Sequence, residues 1–64
     1  MNTLYYDGFL LIERKDNETA FIVDVLCTMY IEISINIAIY IVNKLNENME
    51  KGYRMIDHII NNRK

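Results

Sequence analysis

The sequence predicts a small α+β domain in which three antiparallel strands precede two helices, a β-β-β-α-α order. Three observations predict it. The runs "FLLIERK" and "TAFIVDV" flank the polar stretch at Asp16, Asn17 and Glu18, the pattern of a hairpin. The only serine, Ser34, stands where a helix would need a cap. Beyond it Ala38, Val42, Leu45, Met49, Gly52, Ile56 and Ile59 advance by four and three, the spacing of a helical apolar seam.

In chain order, residues 1–7 read as a lead-in with Tyr5 and Tyr6 at a core edge, and Gly8 as the entry to a first strand over about 8–15. Asp16 and Asn17 suit a two-residue turn, because their side chains tolerate the backbone angles it demands. Such a turn sets a register with Lys15 opposite Glu18, Arg14 opposite Thr19, Ile12 opposite Phe21 and Leu10 opposite Val23. Leu10, Ile12, Phe21, Val23 and Val25 then share the core face, while Phe9, Leu11, Glu13, Ile22 and Asp24 share the other.

A second strand runs over about 19–27. Every odd position from Phe21 to Ile41 is apolar, yet one strand of that length would extend about 70 Å, far beyond so small a domain. The run therefore divides. No parity swap and no tight-turn residue are visible between Leu26 and Glu32, so a bend or bulge near Cys27 and Thr28, or an odd-length loop there, should lead to a third strand at about 29–33. Ser34 then caps a helix over about 35–47. An unbroken helix to Asn61 would be about 40 Å long, so a second helix over about 50–62 is expected after a break at Asn48 or Gly52.

At 64 residues, with one cysteine and one histidine, the chain forms one domain (1–64) without an internal disulfide or a Cys/His metal cluster. Domains of this size commonly need a disulfide, a metal or a partner, and a partner is what remains. The first helix adds to that expectation. Ile35, Ile37, Ile39 and Ile41 spread round the cylinder and cannot all face one sheet, and an isoleucine left in water forgoes roughly 1.5–3 kcal/mol. Self-association as a dimer, a protein target or both follows, unless Met55, Ile56, Ile59 and Ile60 fold back to cover the surplus. The candidate interface comprises those four isoleucines with Tyr30, Tyr40, Tyr53, Phe9, Leu11 and Ile22.

Chemistry finds little purchase. Asp57 and His58 are adjacent, so on a helix they diverge by about 100° and cannot act together. Cys27 has no basic neighbour and reads as a small buried hydrophobe. Glu13, Asp24 and Glu32 are ordinary solvent-facing carboxylates rather than a metal set, and no glycine-rich phosphate loop exists. No catalysis and no cofactor are expected.

A net charge of −2 carries no electrostatic footprint for nucleic acid. The strand "MYIEI" with the two helices resembles in outline the ribbon-helix-helix repressors, which implies a small DNA-binding dimer as an alternative. Its groove-facing Tyr30 and Glu32 would lack the side chains that read bases. The apolar stretch from Ala20 to Val42 could span a bilayer only by carrying Asp24, Glu32 and Asn36 into it, so membrane association is the weaker alternative. The first ten residues hold Asp7 and no basic segment, so no secretory signal is expected and a reducing cytoplasm suits the lone cysteine. Eleven isoleucines and eight asparagines are what an AT-rich genome encodes. With the small size, they suggest a phage or mobile-element accessory protein that inhibits a host factor by binding it.

Overall fold

Four strands, β1 (Thr3–Tyr6), β2 (Leu10–Arg14), β3 (Thr19–Asp24) and β4 (Tyr30–Ser34), form one antiparallel sheet in the order β1-β2-β3-β4. Two helices, α1 (Ile35–Glu47) and α2 (Met49–Asn61), complete an α+β fold. The structure is a computed structural model and describes residues 2–24, 26 and 28–62. Val25 and Cys27, for which a core role was expected, lie outside the described residues.

The first strand is an addition to the three expected from sequence. Asp7 donates its backbone N–H to the Leu10 carbonyl at 3.3 Å, enclosing Gly8 and Phe9 as a two-residue turn. Gly8 has φ +93°, the left-handed angle that such a turn asks of its first central residue. The register shifts between Thr3 and Tyr5, a bulge at Leu4 that lets Leu4 and Tyr5 both reach the core.

The β2–β3 register corrects the expected one by a single residue. Leu10 faces Asp24, Ile12 faces Ile22 and Arg14 faces Ala20. The reason is the turn: Lys15 donates to the Thr19 carbonyl at 3.0 Å, so three residues rather than two make the loop. A slip of one residue inverts a strand, and β3 therefore buries Ala20 and Ile22 and turns Phe21 and Val23 outward. Lys15 accordingly pairs not with Glu18 but with Glu32 of β4, at 3.2 Å.

Parity changes again between β3 and β4, contrary to the unbroken odd pattern. Ile22 faces Ile31 and Ala20 faces Ile33, so even positions of β3 and odd positions of β4 share the core face. Asp24 donates its backbone N–H to the Met29 carbonyl at 3.4 Å, and the four residues between that pair set the change.

α1 begins where Ser34 predicts, its hydroxyl accepting from the Ile37 N–H at 3.2 Å. The helix break falls at Asn48. Its N–H ends α1 on the Lys44 carbonyl at 2.8 Å, and its side-chain oxygen caps α2 by accepting from Glu50 and Lys51. Gly52 is buried at the crossing with α1, where Leu45 leaves no room for a Cβ.

α1 lies against one face of the sheet, and α2 packs on α1. Leu10, Ile12, Ala20, Ile22 and Ile33 meet Ile35, Ala38, Ile41 and Leu45 of α1 and Ile56 of α2 in one core. Met55, Ile59 and Ile60 of α2 pack partly against it. Among the described residues no layer lies over the opposite face of the sheet.

Candidate interaction surface

The uncovered face is organised by the turns that set the register. Each of the three strand connections is closed by one aspartate. Asp7 accepts from the N–H groups of Phe9 and Leu10, at 2.8 and 2.9 Å. Asp16 accepts from the N–H groups of Glu18 and Thr19 and from the Thr19 hydroxyl, at 2.8, 2.8 and 2.9 Å. Asp24 accepts from the N–H of Thr28 at 2.7 Å, from that of Met29 at 3.1 Å and from the Thr28 hydroxyl. These bonds satisfy backbone donors that a tight connection would otherwise leave open.

The same bonds hold all three carboxyls below the usual aspartate range. For Asp7, burial works in the opposite direction. The hydrogen bonds from Tyr53, Phe9, Tyr5 and Leu10 outweigh it. For Asp16 the Glu18 N–H is the chief cause, and for Asp24 the Thr28 hydroxyl.

With the register so fixed, one cross-strand row runs the full width of the outer face. Tyr6 faces Leu11, Leu11 faces Val23 and Val23 faces Tyr30, one side chain from each strand. Tyr6 and Tyr30 at its ends are 63% and 62% exposed. The next row, Glu13, Phe21 and Glu32, is polar at both sides of a ring, and the Phe21 and Tyr30 rings lie 4.9 Å apart. Lys15 covers Phe21 at 5.6 Å while bonding Glu32. The polar half of the face thus satisfies itself, and the apolar half does not.

Beyond the apolar row, Phe9 and Leu26 stand out from the turns, 73% and 78% exposed. With Gly8 and Asp24 they line an open cleft at the end of the sheet. Exposed apolar side chains scattered singly are ordinary, whereas a continuous group marks a binding surface.

The sequence-predicted interface residues divide accordingly. Ile22, Ile35 and Ile41 are corrected: they are 0%, 8% and 0% exposed, buried in the core, and present no surface. Ile37 and Ile39 are 45% and 42% exposed. Two residues advance about 200° round a helix, so these two lie on opposite shoulders of α1 and form no common patch. Tyr40, between them, is partly covered by the Lys44 ammonium 5.4 Å from its ring. Tyr53 is turned inward, its hydroxyl donating to Asp7 beside that of Tyr5. Burial and this carboxylate push both phenols above the usual tyrosine value. Tyr30, Leu11 and Phe9 lie at the uncovered face or its turn end.

Tyr6, Val23 and Leu26 were missed as surface residues. The Asp7-Gly8 pair between the apolar runs "LYY" and "FLLI" is a strong hairpin signal that would have revealed β1 and Tyr6. Val23 was assigned to the core by the register slip.

Asp57 and His58 are both exposed. Glu13 and Glu32 flank Phe21 on the outer face while Asp24 caps its own loop, and no group of three potential ligands is placed for a metal among the described residues. No helix among the described residues is long and apolar enough to cross a membrane. The stretch from Ala20 to Val42 is divided among β3, a loop, β4 and part of α1. Compared with protein-family models, curated proteins and solved structures, the chain finds no match.

Proposed function

We propose that this protein is a non-catalytic protein–protein interaction module that acts by docking on, or occluding, another polypeptide through the outer face of its sheet. The observation that carries this reading is the row Tyr6, Leu11, Val23 and Tyr30, an apolar band that no described element covers. Tyrosine is among the residues that binding surfaces favour, and Leu11 and Val23 between the two rings add apolar area. The expectation of a partner therefore moves from the isoleucines of α1 to the sheet.

Size and the AT-rich composition support a finer version, a cytoplasmic phage or mobile-element accessory protein that inhibits a host factor. The test is affinity capture from the source cell with the native chain and with Leu11→Lys. Proteins retained by the first and lost by the second support the reading, and identical retention by both overturns it.

The DNA-binding alternative has no observation in its favour. The charged side chains of the outer face are Glu13, Glu32 and one lysine already bound to Glu32, a poor match to phosphates.

A further inference from the structure

We infer that the occupant of this face is a second copy of the same chain, the two sheets packing face to face about a two-fold axis that runs along the strands. This rests on the docking role proposed above and names its partner.

The first support is the symmetry of the row. A two-fold interface brings one patch against itself, so the patch must be complementary to its own rotated image. Read from β1 to β4 the row is tyrosine, aliphatic, aliphatic, tyrosine; read from β4 to β1 it is the same. An axis between β2 and β3 sets Tyr6 of each copy against the other copy's Tyr30, and Leu11 against its Val23. Two layers meeting in this way are the aligned packing of a β-sandwich, about 10 Å apart.

The second support is area. A covered aromatic ring buries about 150–250 Å². At 63%, 73% and 62% exposure, Tyr6, Phe9 and Tyr30 together hold back roughly 300–500 Å² on that scale. Leu11 and Val23, half-buried between the rings, add to this, against the ~800 Å² that each partner contributes to a standard interface. On the helical side Ile37, Ile39, Tyr40 and Met49 are 45%, 42%, 53% and 47% exposed, each less than the three rings of the sheet, and Ile37 and Ile39 are separated round α1.

Charge is a cost to the pairing. An axis along the strands brings the Glu13, Lys15 and Glu32 rows of the two copies to the same level, two acids and one base from each, and their repulsion is one that salt screens.

The test is solution mass against concentration, by sedimentation equilibrium, for the native chain, Leu11→Lys, the double variant Tyr6→Ser with Tyr30→Ser, and Ile37→Lys. The native chain should rise from 7.6 kDa to twice that mass. Leu11→Lys should remain single, with circular dichroism reporting an intact fold. If Leu11→Lys does not fold, the tyrosine pair decides, because both rings are largely in solvent already. Ile37→Lys should associate like the native chain.

A native chain that stays single up to about 1 mM, a weak affinity for any specific pair, overturns the inference. So does a doubled mass that both face variants retain, or one that Ile37→Lys abolishes. A single native chain whose capture of a foreign protein is lost in Leu11→Lys removes the second copy and leaves the docking role standing. A single chain that also captures nothing through this face removes both.

Discussion

Tyr53 of α2 donates its hydroxyl to the carboxylate of Asp7, 46 residues earlier, in the turn between β1 and β2. Tyr5 donates to the same oxygen at 2.9 Å, while the other carboxylate oxygen holds two backbone N–H groups of the turn. One aspartate therefore closes the first hairpin and moors the last helix to it.

Removing the mooring should be felt at the level of one charged hydrogen bond. Tyr53→Phe is expected to lower stability by about 1.5–3 kcal/mol, the usual worth of a hydrogen bond to an ionised group. Asp7→Ala should cost more, because the Phe9 and Leu10 N–H groups lose their acceptor as well. Urea unfolding of the two variants against the native chain measures both, and equal stabilities would refute the mooring role.

Acid should unfold the protein through its three turn aspartates. The folded-state values of Asp7, Asp16 and Asp24 are all depressed. Their contribution is therefore complete above the unfolded value of about 4 and disappears as pH falls through the folded values. Thermal midpoints should be level above about pH 5 and fall steadily below about pH 4.

Alkali should act through Tyr5 and Tyr53 with the opposite sign. Both phenols are raised when folded, so their contribution is complete below the unfolded value of about 10 and is lost as pH rises past it. Absorbance titration of the tyrosines should show a component that ionises late, together with loss of the far-ultraviolet signal. In Asp7→Ala that component should ionise earlier.

Gly52→Ala discriminates between helix propensity and packing. On an exposed helix the change would stabilise by about 1 kcal/mol. Here the new Cβ would press on the side chain of Leu45 and lie 2.9 Å from its Cα, so α1 and α2 must separate. Overpacking typically costs 1–3 kcal/mol, and the expected outcome is a lower thermal midpoint. A raised midpoint would show that the helices do not cross so closely.

Asn48→Ala tests the corner between the helices. It removes the acceptor of two N–H groups at the start of α2, Glu50 at 3.0 Å and Lys51 at 3.3 Å. A loss of about 1 kcal/mol is expected. Asn48→Asp should retain most of the stability, since the carboxylate still caps and adds charge favourable to a helix start.

The elements whose signals are local were legible in the sequence. Ser34 announces α1 and Asn48 the break, and of the four-and-three spacing Ala38, Leu45, Gly52 and Ile56 are buried while Met49, beside the break, is 47% exposed. A capping hydroxyl acts within one turn, and helical periodicity is a property of consecutive residues, so neither needs the rest of the molecule. The aspartates at 7, 16 and 24 recur at the pace of short strands and turns, and each takes up the donors of its own connection. That signal too was present.

Which face each side chain occupies was decided only by the assembled sheet. Three residues instead of two in the Asp16 turn exchanged Phe21 and Val23 for Ala20 and Ile22 in the core. Either loop length is compatible with the same polar residues, and burial beneath the helical layer selects the register that hides the isoleucine. The alternate isoleucines of α1 were likewise sorted by contact, with Ile35 and Ile41 covered by the sheet and α2 while Ile37 and Ile39 stayed on its shoulders. Sequence alone determined that four alternate isoleucines fall on one short helix. Tertiary packing determined which of them are covered and which side chains stand on the outer face of the sheet, because parity along a strand is a pairwise property of neighbours far apart in the chain.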